Sequence, residues 1–151
     1  MKKFILGALA ILAIVLLSGC EVESGEYKEG TYFGSAYDSS YDAYATAVVY
    51  VDDKGMIKSV FLDTAYINEK KSETTVSTKK VEGDDYNMKK FNAAAAGEWY
   101  EQVGAVEKYV VEHQGWDVTL NESGKTDAIS GATINLAPIE EALLNALNQA
   151  K

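Results

Sequence analysis

Residues 44–64 read YATAVVYVDDKGMIKSVFLDT, and this stretch decides the fold. Residues 44–51 are β-branched and aromatic almost throughout, which suits a half-buried pleated surface. Asp52-Asp53-Lys54-Gly55 is a turn signal, because Asp bonds its own backbone and glycine takes positive φ without strain. Residues 56–64 alternate in part, with Ile57, Val60 and Leu62 as the inward positions. Together the three segments predict a β-hairpin. Upstream, residues 32–37 (YFGSAY) add a candidate first strand.

Working outward, residues 69–85 are polar and rich in Lys and Thr. They form either a long loop or an edge hairpin through residues 73–80. Residues 86–96 predict an alanine-rich helix ended by Gly97. Residues 98–114 predict a second helix, because Trp99, Val103, Val106 and Val110 fall on one face. Gly115 stands at the expected left-handed C-terminal cap. Residues 116–120 suggest one more strand, and residues 121–126 a loop. The last helix is expected over about residues 135–150, with Ile139, Leu143, Ala146, Leu147 and Ala150 as its apolar face. Pro138 is tolerated in the first turn of that helix, where its missing N–H has no intrahelical partner. Strands gathered early and helices late predict an α+β fold, with helices packed on an antiparallel sheet in one small domain.

The composition narrows the function. The chain has 151 residues, 14 basic residues that are all Lys, 23 acidic residues, one His and one Cys. The formal charge is −9 and the pI about 4.6. Nucleic acid is excluded as a partner, because its binding needs clustered positive charge. One Cys and one His cannot build an ordinary Cys/His zinc site or an internal disulfide, so no metal site is expected.

The N-terminus reads as an address. Lys2 and Lys3 precede an uncharged apolar run over residues 4–17, followed by Ser18, Gly19 and Cys20. This is the layout of a secretory signal. Fourteen apolar residues span about 21 Å as a helix, short of a bilayer core of about 30 Å. Leu17-Ser18-Gly19-Cys20 resembles a bacterial lipobox. That resemblance implies lipid transfer to the Cys20 thiol and cleavage before it. Residues 1–19 are then the signal peptide, residues 20–30 a lipidated flexible tether and residues 31–151 the domain. Removing the first 19 of 151 residues leaves 132 and takes the formal charge from −9 to −11, since Lys2 and Lys3 are lost. The expected location is the extracytoplasmic face of the cell membrane, with membrane lipid as a partner through Cys20.

One segment stands apart: Asp127-Ala128-Ile129-Ser130-Gly131-Ala132-Thr133. Lying between a loop and the last helix, it reads as an anion site on a helix N-terminus. On residue types alone, the plainer reading is a set of cap and turn residues, as before any helix. The motif resembles the flavinylation motif of FMN-binding domains, found in subunits of sodium-pumping NADH:quinone reductases and in small lipoproteins of extracellular electron transfer. The stretch Tyr86-Asn87-Met88-Lys89 is similar to a tyrosine–methionine–lysine segment of the lipoprotein members. The resemblance implies a flavin transferase as partner, which joins the FMN phosphate to Thr133 as a phosphoester. Asp127 then accepts the threonine proton or positions the metal of the transferase, or else only caps a turn. Ser130 bonds the attached phosphate, and the small Gly131 and Ala132 leave room for it.

The function so implied is that of a membrane-anchored electron carrier with covalent FMN as its cofactor. A membrane quinol or NADH dehydrogenase is the expected electron donor, and no self-sufficient catalytic centre is expected. The alternatives are an FMN-bearing accessory subunit of a separate extracellular reductase and a non-redox ligand-binding lipoprotein. The flavin ring needs a platform. Tyr32, Tyr37, Tyr41, Tyr44 and Tyr50 are read as half-buried strand residues, while Trp99 and Trp116 are each either stacking partner or core. His113, at a helix end, is assigned no chemistry.

Overall fold

The computed structural model describes residues 24–68 and 75–151. Four strands form one antiparallel sheet in chain order among the described residues. They are β1 (Gly30–Asp38), β2 (Ala43–Val51), β3 (Ile57–Asn68) and β4 (Thr75–Thr78). The expected hairpin is present, with Val49 opposite Val60 and Ala47 opposite Leu62. Gly55 takes φ 76° in its turn. The Asp52 carboxylate accepts from Met56 N at 2.9 Å and Lys54 N at 3.0 Å. The Met56 bond contributes most to holding Asp52 below the usual carboxylate range. A bulge at Tyr50/Val51 inserts one extra residue on β3. It explains why the inward residues step from Ile57 to Val60 before resuming with Leu62, since a bulge shifts the phase of alternation.

Residues 79–86 cover the end of β3 with a short helix α1 (Lys79–Glu82) and a 3-10 turn (Gly83–Tyr86). The open choice over residues 69–85 resolves as an edge hairpin: β4 pairs with β3, Ala65 opposite Thr78. The helix expected over residues 86–96 is corrected. Only one turn forms, α2 (Met88–Phe91), and the alanines beyond it are irregular. Three of those four alanines are exposed and only Ala95 is buried, so a helix there would bury almost nothing to offset its ordering entropy. The strand expected over residues 116–120 does not form either. Val118 is buried there without a strand partner, and Trp116 Nε1 donates to Glu140 Oε1 at 2.6 Å.

Two long helices, α3 (Trp99–His113) and α4 (Ala137–Leu147), complete the fold. Both bury their predicted faces: Val103, Val106 and Val110 from α3, Ile139, Leu143, Ala146 and Leu147 from α4, join Val49, Val51, Ile57 and Leu62 in one core. Phe33, Tyr37, Tyr44, Tyr50 and Phe61 are exposed on the opposite face of the sheet. The left-handed cap of α3 falls on Gln114, φ 55°, one residue before the expected Gly115. Gln114 stays in that conformation because its side chain is locked. Its Oε1 accepts from Ile57 N at 2.7 Å, and its Nε2 donates to Ile57 O at 3.0 Å and Val111 O at 2.6 Å.

Helix side chains bond backbone groups along β1 and along the part of β3 that β4 does not pair. Glu107 Oε1 accepts from Leu62 N at 2.6 Å on β3 and pairs with Lys80 Nζ. On β1, Asn145 Nδ2 donates to Ser35 O at 3.0 Å and Gln149 Nε2 to Phe33 O at 2.7 Å. Within the expected tether over residues 20–30, residues 25–28 are bonded to the domain, and residues 20–23 lie outside the described residues. Gly25 N bonds Lys54 O at 2.8 Å, Lys28 N bonds Ala150 O at 2.7 Å, and Tyr27 packs on the core. Residues 1–19 and Cys20 lie outside the described residues. No described helix is long and apolar enough to cross a membrane.

Candidate functional site

The motif at residues 127–133 is an irregular turn, and its amides are not presented by a helix. Helix α4 begins only at Ala137. Its start is displaced because Leu136 N bonds Gly124 O at 2.7 Å and Asn135 Oδ1 accepts from Ala137 N at 3.0 Å. Two of the motif amides are engaged elsewhere: Ala132 N bonds Ile129 O at 3.2 Å and Thr133 N bonds Gln102 Oε1 at 2.8 Å. This corrects the expectation of an anion site on the helix N-terminus, since the dipole effect fades within the first turn.

Within the motif, Ile129 and Ala132 are buried and hold the turn to the core. Ala132 therefore points its methyl inward and does not line the site. Gly131 has φ 88°, a conformation that side chains with a Cβ rarely adopt. Asp127 and Ser130 are exposed. Neither Asp127, Ser130 nor Gly131 borders the cavity that Thr133 faces.

Thr133 is exposed, and its hydroxyl is fixed in direction. Thr133 Oγ1 donates to Gln102 Oε1 at 3.0 Å and accepts from Ala96 N at 3.2 Å. A hydroxyl has two lone pairs, so one remains for an incoming group. Gln102 is 0 % exposed, and its Nε2 donates to Gly97 O at 2.8 Å and Met88 Sδ at 3.3 Å. Both ends of this buried amide are therefore satisfied, as burial requires. The signal for Gln102 was present in the sequence: it is a lone polar residue at i+3 from Trp99 on the apolar face of α3.

Thr133 borders a cavity of about 250 Å³, together with Asp38, Lys79, Met88, Trp99 and Lys125. A larger cavity of about 670 Å³ adjoins it, lined by Tyr41, Tyr44, Tyr66, Tyr86, Met88 and Phe91 among others. Tyr41, Lys79, Tyr86, Met88 and Asn92 border both. The larger volume lies within the range of sites that enclose small organic ligands, and its lining has their mainly apolar character with few polar groups. Burial, then Tyr41, Tyr66 and Asp38, push the Tyr86 hydroxyl up to about 12, so it stays neutral and can donate. Tyr66 and Tyr86 meet edge to face at 5.1 Å.

Lys79 stands at the junction of the two cavities and is 6 % exposed. Its ammonium lies 4.5 Å from the Tyr41 ring centroid and 5.4 Å from those of Tyr86 and Trp99. Burial lowers it from the usual lysine range, and Asp38 and Asp63 draw it part of the way back.

Of the aromatic residues weighed from the sequence, Tyr41 and Tyr44 line the larger cavity and Trp99 borders the smaller, from within the core. Tyr32, Tyr37, Tyr50 and Trp116 border neither. His113 stacks on Tyr109 at 3.8 Å, away from both cavities. Tyr86 and Met88 of the Tyr86–Lys89 stretch meet Thr133 around one cleft although 45 residues separate Met88 from Thr133 in sequence. No protein-family model, curated protein or solved structure matches the chain.

Proposed function

We propose that this protein is a membrane-anchored extracytoplasmic electron carrier, lipidated at Cys20, with FMN joined through its phosphate to Thr133. The observation that carries the reading is the Thr133 hydroxyl. It is exposed, aimed by a buried amide, and sits on a cleft that runs into an aromatic-lined cavity. The residues present fit such a group. Thr133 offers the oxygen, Lys125 borders the same cavity with positive charge, and the tyrosines with Met88 and Phe91 offer faces for a flat ring.

FMN supplies one- and two-electron redox chemistry, and the protein supplies position, exclusion of water and electrostatics. Thr133 Oγ1 would attack the FMN phosphorus of FAD through its remaining lone pair, the pyrophosphate bond breaking with AMP as the leaving group, while the Ala96 N–H and Gln102 Oε1 hold the orientation of Thr133, a positioning role. Forming the ester removes the hydroxyl proton, and with it the donation to Gln102 Oε1. The Ala96 N–H can still donate to the ester oxygen, and Thr133 N to Gln102 Oε1, so the residue keeps its place. A covalent link suits a carrier outside the cell, where a dissociated cofactor would be lost by diffusion.

The test is co-expression of the full chain with a flavin transferase, followed by denaturing gel fluorescence and intact mass. The expected result is a mass gain of FMN less water in the wild type and none in Thr133→Ala. Equal behaviour of the two overturns the proposal.

A further inference from the structure

Lys79 is 6 % exposed, yet its ammonium makes no hydrogen bond or close ion pair with any described residue. Among the described residues, its ammonium lies over the ring faces of Tyr41, Tyr86 and Trp99. The carboxylates that act on it from a distance are committed. Asp38 Oδ1 accepts from Ser40 N at 3.0 Å, and Asp63 Oδ1 accepts from Thr64 N at 2.8 Å and Lys80 N at 3.2 Å. Ring faces stabilise a cation but leave its N–H donors unfilled. A lysine ammonium carries three such donors and is the most strongly hydrated of the cationic side chains. The ammonium faces the junction of the two cavities, where a ligand can supply the acceptors that the rings do not.

That space has a shape. It is the meeting point of the Thr133 cavity and the tyrosine-lined cavity. An occupant reaching from one to the other passes the ammonium with flat apolar surface on its far side.

We propose that Lys79 receives the electron-rich edge of a flat heteroaromatic ring lying in the larger cavity; resting on the reading above, that ring is the isoalloxazine of FMN, and Lys79 is a positioning residue that favours its reduced, more negative form. The acidic surface of the chain opposes negative charge on the ring, and Lys79 offsets this at close range. The positive charge acts through low-dielectric surroundings, where a single charge outweighs more distant ones across solvent.

The experiment has two arms on the full chain in detergent. In the first, unloaded wild type, Lys79→Met and Lys79→Gln are titrated with riboflavin and with FMN, followed by quenching of flavin fluorescence. Lys79→Gln serves if Lys79→Met does not fold, as judged by circular dichroism. Loss of a charge-assisted bond predicts roughly tenfold weaker binding in the variants, equal for riboflavin and FMN. Weakening confined to FMN shows that Lys79 reads the phosphate and overturns the ring assignment. No weakening, or no binding of riboflavin by wild type, overturns it also.

In the second arm, transferase-treated proteins are scored separately for the mass gain at Thr133 and for midpoint potential. A lower potential in the variants than in wild type is expected, and equal potentials overturn the inference. Absence of the mass gain in wild type overturns the covalent reading, while a Lys79-dependent affinity for riboflavin in the first arm still supports the ring site.

Discussion

Two neighbouring stretches carry similar helical signals in the sequence, and they end in different structures. Residues 98–114 contain α3, a continuous helix of 15 residues. Residues 86–96, rich in alanine, yield the single turn of α2. Alanine has the higher intrinsic helix propensity, so propensity did not decide the outcome. Burial did. Helix α3 sets Trp99, Val103, Val106 and Val110 in the core, whereas Phe91 is 72 % exposed and only Ala95 of the alanine run is buried.

The irregular stretch is held by polar ties. Asn92 Oδ1 accepts from Ala94 N at 3.2 Å, and the Glu98 carboxylate accepts from Met88 N at 2.8 Å and Lys89 N at 3.3 Å. Non-helical backbone is what leaves Ala96 N pointing at Thr133. The regular helix supplies the scaffold, and the failed helix supplies the candidate site.

The largest loss is expected at Val106. Val106→Asp places an unpaired charge in the core face of α3 and is expected to cost about 4 kcal/mol or more, read by urea unfolding. Gln102→Leu comes next, at about 2 kcal/mol, because Thr133 N and Gly97 O lose buried partners. It should also slow the proposed flavin attachment at Thr133, which Val106→Ala should leave intact.

Tyr86 tests the irregular stretch through pH. Its folded value is raised from 10.0 to about 12, so the folded state resists losing that proton. Its stabilising contribution is complete below about pH 10 and is lost as pH rises toward 12. After allowance for its partial solvent contact this amounts to about 1 kcal/mol. Wild type should lose more stability than Tyr86→Phe between pH 10 and 12 in thermal melts. Glu98→Ala, which frees two amides of α2, is expected to cost about 1 kcal/mol and to raise proteolytic nicking near residues 88–96. Ala94→Asp, on an exposed position, should fall within about 0.5 kcal/mol of wild type. A larger loss there would mean that the alanine run is packed more firmly than its exposure indicates.

The sheet and the two long helices were legible because each repeats an apolar residue at the period of its own geometry. Val49 and Val51 recur every two residues in β2, and Leu143 and Leu147 every four in α4. The bulge beside Val51 hid the alternation of β3 without hiding the strand. Thr133 was legible as a motif residue, but its surroundings were not. Gln102, Ala96 and Lys79 converge on the cleft from α3, an irregular loop and the start of α1, and no local period marks a tertiary meeting point. Gln102 gave a partial sign as a polar residue on an apolar face. Lys79 gave none, because in sequence it is one of two adjacent lysines, and only the fold sends Lys79 inward while Lys80 goes to Glu107.

The side chains that occupy the sheet margins have a consequence for how densely copies can gather. Asn145 and Gln149 already fill carbonyls of β1, and Gln114 and Glu107 already serve Ile57 and Leu62 of β3. An open strand margin is a template for adding a neighbour's strand. Under the proposed lipid anchor, copies share a single plane and collide far more often than copies free in three dimensions. With those backbone groups spoken for from within, frequent collision need not turn into strand exchange or polymer growth.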